Sequence, residues 1–217
     1  MCDGAVVMEV TVEDERADVA RELEMPVIFI GLPDDRTGLH CIDFDFETGA
    51  RLLVDELADA GARAITVLGW EEVRERMHFN YVPRFRASAQ ARCAERGVEL
   101  RWHRASPDAS GVDAFLDEVL DGAERPALLV TQGLYELGVA LQRRGVVPGR
   151  DLDLVALCTD AEAQLQHVPT TAVSPQPRDV SRQAMAWLFE LLEGEIAPEV
   201  RLVDAVISRR SSVRAVA

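Results

Sequence analysis

The chain has 217 residues, of which 48% are hydrophobic and 28% charged, and its formal net charge is −15 at pH 7. This is a globular composition, long enough for one large domain or two small lobes, which excludes wholesale disorder. So acidic a surface repels phosphate backbones and lacks the counterion-release term of non-specific DNA binding, so any contact with DNA is expected from residues outside this chain.

Cys2, Cys41, Cys93 and Cys158 form no Cys-x-x-Cys pair, and His40, His78, His103 and His167 have no mutual metal spacing. No metal or cofactor is expected, and the thiols are expected to be reduced. Met1 to Val12 carries acids without a basic leader, and no apolar run reaches membrane-spanning length. A cytoplasmic protein without a membrane partner is the expectation.

In chain order, short apolar runs occur at Ala5–Met8, Val27–Ile30, Ile65–Leu68, Ala127–Val130, Leu152–Leu157 and Leu202–Ile207, with a weaker one at Val98–Trp102. They lack polar alternation, as strands covered on both faces of a parallel sheet do. Between them lie stripes at helical spacing. The first is Ala50, Leu53, Val54, Leu57 and Ala58, closed by Gly61. The segment from Arg84 to Arg96 stops at Gly97. Val112, Phe115, Leu116, Val119 and Leu120 are closed by Gly122. Leu134, Leu137 and Leu141 precede Gly145, and Val180, Ala184, Trp187, Leu188, Leu191 and Leu192 precede Gly194. A glycine just past each stripe suits a left-handed C-cap. Repeated strand–helix units predict right-handed crossovers and a doubly wound α/β architecture. Leu32–Leu39 reads as a turn-rich connector and Ser174–Pro177 as a fixed crossing between structural units.

Ligands of open α/β sheets bind beyond the carboxyl ends of the strands. That rule nominates Leu32, Trp70, Thr131–Gln132 and Cys158–Asp160. Trp70 offers either a stacking surface or a core cap. Asp43 and Asp45 alternate at strand spacing, which puts them on one face and raises acid–base chemistry as a possibility to be weighed. Neither a Gly-x-Ser-x-Gly elbow, a P-loop nor a Gly-x-Gly-x-x-Gly after a strand occurs, so no reaction type is supported.

FDFETGARLLVDELADAGARAITVLG (44–69) resembles the lactose/galactose-repressor (LacI/GalR) family, in which an Asp, a polar pair and a Gly open a helix and a later Gly leads into a strand. PALLVTQGLYELGVALQRRGVVPGRDLDLVAL (126–157), VPTTAVSP (168–175), AMAWLFELLEG (184–194) and RRSS (209–212) continue the likeness, and DGAVVM (3–8) and MPVIFIGLP (25–33) resemble two strands of that family's first lobe. Nearly the whole chain is covered. No single piece is specific; their order and spacing are.

The resemblance implies a periplasmic-binding-protein type I fold: two doubly wound parallel-sheet lobes with a small, sugar-like effector in the cleft. Its boundaries would be 1–45 with 175–197 for the N-terminal lobe and 46–174 with 198–217 for the C-terminal lobe. The first lobe would be incomplete, with an uncovered sheet edge or face, and the family's helix-turn-helix would lie outside this chain. The implied effector site comprises Arg84 (or Arg86), Gln132, Cys158, Thr159, Asp160, Trp70 and Gln176. Several of these differ from the family's usual polar readers: Gln132 replaces an Asn, Cys158 and Thr159 stand where paired aspartates do, and Pro175 stands where a Gln does. A favoured role for Asp43 and Asp45 is structural, near the lobe crossing. The function implied is the sensing and dimerisation module of a transcription regulator, a homodimer pairing partly through Leu134–Arg144. The alternatives are a transporter's solute-binding protein, which needs export, and an α/β enzyme using Asp43, Asp45 or Cys158.

Overall fold

A computed structural model describes residues 2–70, 77–121, 125–194 and 197–215. The elements run β1 (Ala5–Val7), α1 (Arg16–Glu22), β2 (Val27–Ile30), β3 (His40–Phe44), α2 (Phe46–Asp59), β4 (Ala64–Leu68), α3 (Tyr81–Arg96), β5 (Glu99–His103), α4 (Ala109–Leu120), β6 (Ala127–Val130), α5 (Leu134–Arg143), β7 (Asp153–Leu157), α6 (Asp160–Gln164), β8 (Thr171–Val173), α7 (Pro177–Glu193), β9 (Val200–Val203) and β10 (Ile207–Ser208).

These strands form two sheets. The first is parallel throughout, in the order β1-β2-β3-β9, and the second runs β10-β8-β7-β6-β4-β5, with only the β10–β8 pairing antiparallel. A helix fills each connection from β3 through to β9, as right-handed βαβ units require, while β2–β3 and β9–β10 are joined without one. The chain passes between the sheets after β3, between β8 and α7, and between β9 and β10. The two prolines of Ser174–Pro177 lie at the second crossing, where that stretch was expected to cross.

One core joins the sheets. Ile42 and Phe44 of the first share a buried cluster with Ile65, Val67, Leu129 and Val155 of the second, together with Leu53 and Leu57 of α2 and Trp187 of α7. The far face of the second sheet packs on Val112, Phe115 and Leu116 of α4 and Leu137 and Leu141 of α5. On the first sheet, α7 covers one face. The other face carries Val27, Phe29 and Cys41 beneath the smaller α1. That cover ends short of β9, whose Val200 and Leu202 are 44% and 45% exposed, an uncovered strip of the kind expected for this lobe.

Several expectations need correction. The run Leu202–Ile207 is not one strand: β9 extends the first sheet, β10 the second, and Asp204–Val206 carry the chain across. Residues 200–203 therefore pair with the first sheet, although 198–217 was assigned to the second lobe. Asp43 and Asp45 do not share a face, because β3 ends at Phe44 and Asp45 turns to cap α2, accepting a hydrogen bond from the Thr48 N–H at 2.8 Å. Gly97 is the left-handed C-cap expected, with φ 66°. Gly194, in contrast, is extended, with φ 177° and ψ 163°. Gly122 lies outside the described residues. The helix α1 escaped sequence analysis because only Ala17 of its seven residues is buried, leaving no apolar stripe to read.

Candidate ligand site

Loops from both sheets meet in front of α3. After β1, Val10 accepts hydrogen bonds from the Asn80 backbone N–H at 3.2 Å and from Asn80 Nδ2 at 3.1 Å. Val12 N–H donates to the His78 carbonyl at 2.9 Å, and the Val12 carbonyl accepts from Asp34 N–H at 2.9 Å. The segment at residues 10–12 is thus laced to the β2 connector on one side and to the start of α3 on the other. Gly31 is obligatory here: its φ is 132°, and an added Cβ would lie 2.7 Å from Val10 and 2.8 Å from Asn80 Nδ2.

These loops enclose a cavity of about 850 Å³, lined by Thr11, Leu32, Asp34, His78, Phe79, Asn80, Arg84 and Arg86 among others. Such a volume lies within the range that takes small organic ligands. Arg84 occupies its inner wall. Nε and Nη2 form a fork on Glu47, both at 2.7 Å, while Nη1 reaches Asp43 at 2.6 Å and Asn80 Oδ1 at 3.3 Å. One guanidinium thus joins a strand of the first sheet, the first turn of α2 and the first turn of α3. Its planar fork suits this better than an ammonium would.

Two carboxylates on one cation leave a local excess of negative charge, and burial decides how it is carried. Asp43 is 7% exposed; burial pushes its carboxyl up to about 6 against the opposing pull of Arg84. Burial also pushes Glu47 up, but the hydrogen bonds and charge of Arg84 outweigh it and hold Glu47 below the usual value. Behind the triad stands an aromatic stack. Phe46 and Tyr81 lie parallel at 5.1 Å, Tyr81 and Phe79 at 5.9 Å, and Trp70 packs edge-on to Tyr81 and Phe85, each at 5.4 Å.

A second cavity, of about 440 Å³, opens at the carboxyl ends of β7 and β8. Its lining includes Thr159, Asp160, Ser174, Gln176, Arg178 and Ser208. Thr159 and Glu162 form a reciprocal capping box at the start of α6. Asp160 is paired with Arg210 at 2.6 Å, and that hydrogen bond holds its carboxyl below the usual range. Gln176 donates through Nε2 to the Asp204 carbonyl at 2.8 Å, fastening the second crossing to the third. The described non-glycine residues with positive φ are Glu9, His78 and Gln176, at 53°, 52° and 47°. Two of them line these cavities, and strained backbone of this kind clusters at ligand sites.

The residues named from sequence therefore divide. Arg84 and Arg86 line the first cavity, and Thr159, Asp160 and Gln176 the second, while Trp70, Gln132 and Cys158 line neither. Gln132 Nε2 instead donates to the Gly69 carbonyl at 2.8 Å and the Ala105 carbonyl at 3.3 Å, tying strand ends together. Trp70 is 5% exposed and belongs to the core, the second of its two readings. Burial pushes the Cys158 thiol up to about 12, the opposite of what an activated nucleophile needs. Asp34, Glu47, Asn80, Ser174 and Arg210 were missed. Their roles rest on distant partners, such as Val10 for Asn80, 70 positions away, and Asp160 for Arg210, 50 positions away, and no local spacing announces them.

Residues 54–213 match the family model described as a periplasmic binding protein-like domain. Over 96% of its length the chain is 24% identical to the HTH-type transcriptional repressor MelR of Bacillus subtilis, of which it spans 63%. Among solved structures, a LacI family transcriptional regulator from Bifidobacterium animalis subsp. lactis superposes with TM-score 0.84 at 16% identity, covering 99% of this chain and 79% of that one. A transcriptional regulator CelR–cellobiose complex superposes with TM-score 0.77 at 16% identity, covering 97% of this chain and 65% of that one.

Proposed function

The chain belongs to the periplasmic binding protein-like domain family, and on that premise we propose that it is the effector-sensing and dimerisation core of a LacI-type transcriptional regulator. The observation that carries this reading is the Arg84 triad: a single side chain on a cavity wall holds Asp43 of the first sheet and Glu47 of α2. A polyhydroxylated effector entering that cavity competes for the same donors and acceptors. Its binding therefore biases how the two sheets sit against each other, which is how a ligand shifts a conformational equilibrium.

The effector is a sugar or a close derivative. Support comes from the mixed lining, with an aromatic wall at Phe79 beside Asn80, Asp34 and Arg84, and from the cellobiose named for one structural neighbour. DNA is contacted by a segment outside this chain, whose own charge of −15 opposes phosphate backbones. The protein works as a cytoplasmic homodimer. Tyr135 and Val139, 71% and 40% exposed on α5, supply an apolar face for a two-fold, self-complementary contact. No catalytic step is assigned, in keeping with the raised Cys158 thiol and with relatives that are regulators.

A thermal-shift screen with neutral mono- and disaccharides, sugar phosphates and nucleosides, on the wild-type chain and Arg84→Ala, tests the reading. A ligand that binds only the folded state at about 100 times its Kd adds roughly 2.7 kcal/mol of stability. A saccharide should stabilise the wild type and lose most of that effect in the variant. Equal stabilisation of both proteins would remove Arg84 from the site.

A further inference from the structure

At the opposite end of the second sheet, where the strands begin, lies a cavity of about 1030 Å³ that the sensing role does not use. Its lining includes Arg63, Arg101, Arg125, Arg150 and Arg214, with Thr66 and His103. Arg101 and His103 alternate along β5 and so share a face, and Thr66 of β4 is paired with Arg101. These polar side chains line the cavity.

The charge there runs against the rest of the molecule. Across the chain 38 acids outnumber 23 basic residues, every one of them an arginine. Here five arginines face four carboxylates, Glu118, Asp121, Asp151 and Asp153. The carboxylates are engaged unevenly. Asp153, only 2% exposed, is held by a fork from Arg125 at 3.0 Å and by the Arg214 backbone N–H at 2.9 Å. Asp151 takes Arg150 at 2.7 Å. Arg101 is forked onto Glu99, outside the cavity lining, while Arg214 directs Nε to the Ala60 carbonyl at 2.7 Å and holds it 3.5 Å from Asp153. The Arg63 guanidinium makes no hydrogen bond or ion pair among the described residues, its backbone carbonyl alone accepting from Glu99 N–H at 2.9 Å, and the Thr66 hydroxyl makes none either. The guanidinium of Arg63, both Nη atoms of Arg214 and Nη1 of Arg101 thus remain available on one concave wall. Several planar forks with a hydroxyl between them match the oxygens of a phosphate group.

We propose that this basal cavity is a second ligand site, taking a small phosphate-bearing anion through Arg63, Arg101, Arg214 and Thr66. The test is titration calorimetry of pyrophosphate into the full chain at low salt, with Arg63→Gln, Arg101→Gln and Thr66→Val, and with Arg209→Gln as a control for an arginine outside the cavity. The Arg63 side chain is exposed and makes no bond among the described residues, so its variant leaves folding intact. Pyrophosphate should bind the wild type, and Arg63→Gln and Arg101→Gln should each weaken it about tenfold, the loss of one charge-assisted contact. Thr66→Val should weaken it less, and Arg209→Gln not at all. No heat of binding up to about 10 mM pyrophosphate, far weaker than a specific phosphate site, overturns the proposal. So does equal weakening by Arg63→Gln and Arg209→Gln, which would mark diffuse attraction to arginine at large.

Discussion

The two cavities at the carboxyl ends of the strands are built by different means. Around Arg84 the polar groups are interior: Arg84 and Asp43 keep side-chain exposures of only 16% and 10%, and an aromatic stack backs them. Around Thr159–Gln176 they are peripheral, a helix cap, an ion pair to Arg210 and one side-chain-to-carbonyl tie, with Asp160 57% exposed. In the first region removing a partner strands a buried charge; in the second, water replaces the exposed Asp160, while Arg210, only 14% exposed, keeps the Thr170 and Ser208 carbonyls. In the proposed reading, the first is therefore where effector binding is coupled to the packing of the two sheets.

Arg84→Ala should show the largest difference. Removing one member of a buried ion cluster costs about 3–5 kcal/mol, and urea unfolding at neutral pH should show a loss of that order. Trp70→Ala should cost about as much, roughly 3–5 kcal/mol for a large core side chain, while Trp70→Phe should cost much less. A Trp70→Ala chain that stays fully stable would return Trp70 to the role of a stacking surface.

Asp43 gives the comparison a pH axis. Its folded value is raised, so the stability associated with its protonated form is complete below the ordinary carboxylate range and declines as pH climbs from about 4 through about 6. Glu47 is lowered and acts in the opposite sense, losing its contribution as pH falls through its folded value. Asp43→Asn should therefore flatten the decline between about pH 4 and 6 in unfolding measurements, leaving the acid-side loss due to Glu47. An unchanged pH profile would show that Asp43 does not titrate in that window.

On the peripheral side, Thr159→Ala removes a helix cap and should cost about 1 kcal/mol in the same urea assay. A loss as large as that of Arg84→Ala would erase the distinction between the two regions. Smallest of all, Tyr135→Ala should leave monomer stability within about 0.5 kcal/mol, as exposed positions do, while weakening self-association in sedimentation.

Much of the fold was legible because covered parallel strands leave continuous apolar runs, as at Val27–Ile30 and Ala127–Val130, and amphipathic helices leave stripes, as in α2 and α7. Composition could not divide Leu202–Ile207 between two sheets, because pairing partners are set by the distant β3 and β8. The site was legible only as strand tips. Arg84, Thr159, Asp160 and Gln176 stand on cavity walls, yet the Arg84–Asp43–Glu47 cluster joins positions up to 41 apart, and nothing local distinguishes Glu47 from the chain's other acids. Trp70 shows the same limit: a tryptophan after a strand-ending glycine has one sequence and two fates, and only the rings of Tyr81 and Phe85 decide between them.

The most direct measurement is a crystal structure of the chain with the saccharide that stabilises it most. The sugar should lie in the cavity between Leu32 and Arg84, with at least one hydroxyl on Arg84, Asp43 or Glu47 and a contact to the residue 10–12 segment or Asp34. A saccharide bound elsewhere, with the Arg84 fork on Glu47 and its bond to Asp43 unaltered, would contradict it.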